Sequence, residues 1–276
     1  MTPLDPWRDE EGFAPRPSSS LGDEKHRKRI IVSFPSHPLM IMLYLFLLFP
    51  LFVSAPYIFW YLSSLLGISR PAAFILGPLI FLLSLVLSPF NVVIKRIGTG
   101  KQLLLLEQRY VYFFGIPFPV ITPRVVKQEI VLAINIGGAI IPIGLSILLL
   151  LKMAMVSPLI SIYSLIVICV TAMISYVSSR AIPGVGIAVP AFLPPLTSVI
   201  MTALLIHKPY MAVPVAYVGG VLGSLIGADI LRLGKELNKF IEHYGATMLS
   251  IGGAGTFDGI YLSGLIASLL VPLFTY

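Results

Sequence analysis

The sequence predicts an all-α polytopic membrane protein of about seven transmembrane helices. One helix is broken or re-entrant, and a small β-element sits on the cytoplasmic side. Three observations predict this. The 276 residues are 57% hydrophobic and only 11% charged, against about 25% charged in soluble domains. Mean hydropathy is +0.95, and uncharged apolar runs long enough to cross a hydrocarbon core of about 30 Å recur along the chain. The net charge of +7 resides in basic residues between those runs. It therefore points to orientation and to anionic lipid headgroups, and excludes a nucleic-acid partner.

Residues 1–37 read as a basic, disordered N-terminal tail rich in Pro, Ser and charge, which cannot build a core. Its cluster Asp23–Arg29 ends just before the first span. No cleavable signal peptide is expected, because an apolar segment does not follow a short charged one.

Residues 38–90 read as a transmembrane helical hairpin: Pro38–Leu66, a tight turn over Gly67–Arg70, then Pro71–Pro89. Residues 91–130 differ in kind. "NVVIKRIG", "RYVYFFGIPFPVI" and "VVKQEIVLAI" are rich in β-branched and aromatic residues, and "GTGKQ" and "TPR" separate them. They predict short strands with turns at the membrane surface. "GTGK" lacks the spacing of a phosphate loop and reads as a turn.

Residues 131–276 read as a five-span bundle. Val131–Leu151 has an irregular start in "INIGGAIIP", and Pro158–Val177 follows. In Ser179–Leu196 the prolines and glycines preclude one straight helix. Non-helical backbone at membrane depth is tolerated only where protein buries it or water lines it, so this broken segment is expected to line a polar cavity and continue as a fifth span to Ile206. Tyr210–Leu231 and Ala246–Leu270 complete the set. Cys169, inside an apolar run, reads as a buried, inert thiol. "INIGGAIIP" and "LSIGGAGTF" share I-G-G-A, through a degenerate repeat or through coincidence in a Gly-rich chain.

With seven spans, sixteen of the nineteen Lys and Arg residues fall on one side. That side is expected to be the cytoplasm, with the N-terminus there and Tyr276 outside a prokaryotic plasma membrane.

Each of the last two apolar runs carries one acid, Asp229 and Asp258. The other ten acids are assigned to tails and loops. A carboxylate at membrane depth is expensive and marks a functional site. On neighbouring antiparallel helices the two could meet in the cytoplasmic half, where a pair would share a proton. Such a pair suits water activation for peptide hydrolysis and suits proton or cation transport equally well. Asn91, Asn135, Gly255, Gly259, Tyr261, Pro190 and Pro194 are the residues expected to line the site. The plainer roles stay open: Arg232 pairing for Asp229, capping for the two asparagines, and ordinary packing for Tyr261. On helix six the ridge Gly219, Gly223, Gly227 points away from Asp229, so that helix is either enclosed on both sides or unwound near Gly227. No metal or cofactor motif is present.

"INIGGAIIP", "IPGVGIAVPAFLPPL", "GSLIGADILRLG" and "SIGGAGTFDGIYLSG" resemble an uncharacterised prokaryotic membrane family, domain of unknown function 1614, over roughly Pro71 to the C-terminus. The resemblance implies a shared fold and names no activity. "GTFDGIYLSGLIASLL" also resembles the Gly-x-Gly-Asp helix of presenilin-type intramembrane aspartyl proteases. That resemblance implies catalytic roles for Asp229 and Asp258, with Gly255 as the first glycine. Phe257 stands where that family has its second glycine and Ala228 where it has a tyrosine. A Pro-Ala-Leu segment does not follow Asp258, and "PAFL" at 190–193 would supply it only in a rearranged order. The leading expectation is a di-aspartate intramembrane hydrolase that cleaves membrane-embedded peptides. The second is an ion- or proton-coupled transporter using the same acids, and the third a non-catalytic membrane assembly protein. Expected partners are membrane lipids and either a transmembrane peptide or a small cation or proton.

Overall fold

The computed structural model describes residues 29–33, 38–113, 116–182, 186–241, 248–253 and 259–275. It is mostly helical, with a four-stranded sheet at one end of the bundle. Helices α1 (Pro38–Leu66) and α2 (Arg70–Leu87) form the expected hairpin. Strand β1 (Ile30–Val32) precedes it, and β2 (Phe90–Phe113) and β3 (Ile116–Asn135) follow. A π-helical turn, Ile136–Ile140, leads into α3 (Ile141–Val156), and α4 (Pro158–Ser178) returns to the sheet end. Proline stands in the first turn of α2, α3, α4 and of α6 below, where its fixed φ suits the helix and its missing N–H costs nothing.

The Pro-Gly stretch breaks the chain as expected, though not as a bent helix. It forms a small antiparallel hairpin, β4 (Arg180–Ile182) and β5 (Gly186–Ala188), with Pro183–Val185 outside the described residues. Helix α5 then runs over Leu193–Leu205. Helix α6 (Pro209–Ser224) passes through a π-helical segment, Leu225–Arg232, into α7 (Leu233–Lys239). Strand β6 (Met248–Ile251) comes next, and α8 covers Gly259–Leu270.

Four helices among the described residues are long and apolar enough to cross a membrane: Arg70–Leu87, Ile136–Val156, Pro158–Ser178 and Pro209–Lys239. Two apolar helices are shorter, Leu193–Leu205 and Gly259–Leu273. The fourth long helix is the axis of the bundle. Its most apolar window is 83% buried inside the protein, against 22–33% for the other three. Small residues let its neighbours approach closely. A Cβ added at Gly223 would lie 2.5 Å from Thr171 Cβ of α4, and one at Gly227 would meet the Ala172 carbonyl. On the opposite side, a Cβ at Gly220 would lie 2.7 Å from the Ser263 carbonyl oxygen of α8. Both structural options for helix six therefore hold: it is enclosed on two sides, and its α-helical winding gives way at Leu225–Arg232.

The β-element departs from the expectation of short strands. β2 and β3 are long antiparallel partners, registered from Asn91↔Asn135 out to Phe113↔Ile116. "GTGKQ" is a register shift between Gly98 and Gln102 and not a turn between strands. "TPR" lies within β3. The pairing closes at Phe113↔Ile116, inside "RYVYFFGIPFPVI", which was read as one strand; Phe114 and Gly115 lie outside the described residues.

The seventh apolar run is likewise not one helix. Its first part is β6, which pairs in parallel with β3, Val131↔Met248 through Ile134↔Ile251. Gly252 and Gly253 follow at φ +83° and +88°, backbone that glycine adopts without strain and other residues do not. A second, smaller core of Ile130, Leu233, Phe240 and Leu249, with Ala181 and Ile187 packed on it, joins the sheet, the β4–β5 hairpin and α7. These elements therefore share one end of the bundle.

Candidate functional site at the strand-to-helix junctions

Two strands that run side by side each deliver the chain into the bundle through a pair of glycines. β3 leads through Ile136-Gly137-Gly138 into α3, and β6 leads into Gly252-Gly253. These are the two stretches that share I-G-G-A. They touch: a Cβ added at Gly252 would lie 2.8 Å from the Ala139 backbone nitrogen. Gly137 is pressed just as closely against α2, where Ser84 Oγ donates to its carbonyl.

Asn135 caps the π-turn, its Oδ1 accepting from Gly138 N at 2.6 Å. Its Nδ2 donates toward Asn91 Oδ1 and the Gly253 carbonyl, each at 3.1 Å, and toward the Ser88 carbonyl. Asn91 Oδ1 accepts a second bond, from Ser250 Oγ at 2.6 Å. Asn91 Nδ2 donates to Ser33 Oγ at 2.9 Å and to the Pro89 carbonyl at 3.1 Å. Both asparagines are wholly buried. One amide pair thus ties together β1, the end of α2, β2, β3 and β6. Capping, the plainer role, holds for Asn135, and its other amide atom reaches beyond the cap.

Asp229 reaches the same place from the axial helix. It is half-buried in the π-helical segment, and its Oδ2 accepts the Gly252 N–H at 2.8 Å. The two halves of the Gly252-Gly253 bend are therefore held from opposite sides, Gly252 by Asp229 and Gly253 by Asn135. Asp229 is also farther from its helix end than the sequence suggested, because the helix continues to Lys239, about 15 Å beyond it.

The structure brings Asp229, Asn91 and Asn135 to one junction. Asp258 and Gly255 lie outside the described residues. Gly259 is exposed at the start of α8. Tyr261 is buried in the main core, its ring 6.0 Å from that of Phe81. Pro190 is exposed before α5, its carbonyl accepting from Leu193 N at 3.1 Å, while Pro194 is buried in the first turn of α5.

Sequence reasoning missed three participants. Ser250 and the Gly252 amide enter only through the β3–β6 pairing, which no local signal announces. Glu236, assigned to a loop, is a buried acid on α7, 2.7 Å from Lys239 Nζ and 3.4 Å from Arg232 Nη2. The i, i+4 and i, i+3 spacing of these three residues was the available signal. The Arg232 guanidinium also lies over the Tyr176 ring at 5.8 Å.

A family model described as "Protein of unknown function (DUF1614)" matches residues 85–270, which include both junctions, the axial helix and the β2–β3 pair. No curated protein and no solved structure matches the chain.

Proposed function

We propose that the chain, which belongs to the DUF1614 family, is an ion- or proton-coupled membrane transporter in which Asp229 and Asp258 carry the coupling charge. The observation behind this reading is a set of buried hydroxyls around the axial helix. Ser146, Thr171, Ser175, Thr202, Tyr217 and Ser263 are buried, and their hydroxyls have no hydrogen-bond partner among the described residues. An unsatisfied buried polar group costs about 1–3 kcal/mol, so such a set makes poor passive packing. Hydroxyls both donate and accept, which suits relay of a proton or coordination of a cation. Ser175 and Thr171 lie against Gly227 and Gly223, close in sequence to Asp229. Tyr217 lies farther along the same helix, about 18 Å from Asp229 by helical rise. Interrupted helices beside paired, similar strand-to-helix junctions are the architecture on which transporters build such sites.

The proposed topology has seven spans, made by α1, α2, α3 with its π-turn, α4, α5, the axial helix and α8. The N-terminus lies in the cytoplasm of a prokaryotic cell and the C-terminus outside its plasma membrane. The basic residues of β2, β3, β4 and α7 share the sheet end of the bundle, in support of this orientation.

A second reading, the di-aspartate hydrolase, draws on one contact. The Gly252 N–H that Asp229 accepts lies six residues ahead of Asp258 in the sequence. One experiment separates the readings. Purified protein in liposomes is followed for proton and cation flux, and in parallel is incubated with transmembrane peptides whose cleavage is read by mass spectrometry. Transport predicts flux that Asp229→Asn and Asp258→Asn each abolish, with the double variant no worse. Peptide cleavage that needs both aspartates, without flux, overturns transport in favour of hydrolysis.

A further inference from the structure

Beyond the register shift at Gly98–Gln102, β2 and β3 pair only with each other among the described residues. Residues 102–113 and 116–127 therefore form a two-stranded ribbon, roughly 40 Å long at the usual rise per residue. Such a ribbon is marginal by itself in water, and this one is openly apolar. Leu104, Leu106, Tyr110 and Tyr112 of β2 and Ile121 and Val125 of β3 are all exposed. The register aligns Leu104 with Val125 and Gln108 with Ile121, so these residues share one face of the alternating ribbon. No residue on that face from Leu104 to Val125 is charged. Glu107, Arg109 and Arg124 fall at the alternate register positions.

We propose that this uncharged face lies on the surface of the same bilayer that the helices cross. Its aliphatic side chains reach the boundary between headgroups and acyl chains, and Tyr110 and Tyr112 sit at headgroup level. Two observations favour lipid over a second copy of the chain. Pro117, Pro119 and Pro123 occupy alternate positions of β3. Proline cannot donate to a ladder, so these positions belong to the outer edge of β3, which has lost three donors needed for strand addition on that side. In addition, the ribbon is continuous with a sheet seated on the end of the membrane bundle. The irregularity at its root, with Gly100 at φ +72°, supplies the bend that lets a strand pair turn from its base.

The test uses the full chain in liposomes of zwitterionic and anionic phospholipid. In a Cys169→Ala background, Leu104→Cys, Tyr112→Cys and Thr122→Cys are each labelled with a polarity-sensitive fluorophore. Nitroxide-bearing lipids are then added at shallow or deep label positions. Labels at 104 and 112 are expected to emit to the blue and to be quenched most by the shallow nitroxide. The label at 122, on the alternate register, should emit as in water and escape quenching. Water-like emission at both 104 and 112, quenched by iodide, overturns the proposal. So does blue emission that lipid nitroxides leave intact while energy transfer appears between copies, which would assign the face to a second copy.

Discussion

Asn91 and Asn135 stand opposite one another in the β2–β3 register, and the Asn135 side-chain nitrogen donates to the Asn91 side-chain oxygen at 3.1 Å. The Asn135 amide has two hydrogens and three acceptors within reach, on Ser88, Asn91 and Gly253. It is held by more partners than it can serve singly, in a place where water is excluded. A polar cluster of this kind, fully satisfied, fixes one arrangement of the strands around it.

Asn135→Ala should therefore destabilise the protein by on the order of 3 kcal/mol, combining the lost cap with partners left unsatisfied. Ser250→Ala, which removes a single bond, should cost about 1 kcal/mol. Thermal unfolding in detergent measures both. An unchanged midpoint for Asn135→Ala would show that the cluster contributes nothing to the fold.

Glycines of the axial helix should separate into two groups. Gly227→Ala drives a methyl group into the Ala172 carbonyl of α4, backbone that has little room to move, and overpacking of this kind costs about 1–3 kcal/mol. Gly234→Ala meets nothing within 4 Å and should be neutral, or stabilising by roughly 0.5–1 kcal/mol. Equal effects of the two substitutions would contradict the close approach of α4.

Gly252→Ala places a side chain on left-handed backbone at φ +83° and against Ala139. The expected cost is about 1–3 kcal/mol from the backbone alone. Because the Gly252 N–H is a partner of Asp229, the variant should also lose transport out of proportion to the fraction of folded protein. Full flux per folded molecule would separate this bend from the function.

Orientation is checked with a membrane-impermeant thiol reagent on intact cells. Cys169, expected to be buried, is exposed on α4 and is first replaced by Ala. Lys239→Cys, at the sheet end, should resist labelling from outside, while Lys208→Cys, just before α6, should react. The reverse pattern would invert the topology.

The parts of the fold that were legible are those set by local signals. α1 begins and ends where its apolar run does, at Pro38 and Leu66, and α4 begins at Pro158. The irregular start of α3 was readable in the Asn, Gly and Pro of "INIGGAIIP". β6 was not readable, because a short apolar run is ambiguous between helix and strand, and the tie was broken by pairing with a distant segment, Val131–Ile134. The division of "RYVYFFGIPFPVI" between β2 and β3 escaped notice because its β-branched and aromatic residues run on without a common turn pair such as Asn-Gly or Asp-Gly. At the site, Asp229, Asn91 and Asn135 stood out as polar residues at the ends of apolar runs. Their partners did not, since they include the Gly252 amide, the backbone carbonyls of Ser88, Pro89 and Gly253, and the hydroxyls of Ser33 and Ser250.

The parallel pairing of β3 with β6 also sets a schedule. Asn135 and Gly253 are 118 residues apart in the chain. At a synthesis rate of about 5–20 residues per second, the first waits roughly 6–24 s for the second to be made. Throughout that interval β3 has one edge uncovered, while α3 to α7 are being made. The junction thus closes only after the segments from α3 to β6 have been made. A nascent or truncated chain that has all its earlier helices in place still lacks the bend that Asp229 holds. Any activity resting on that bend begins only after β6 has been made.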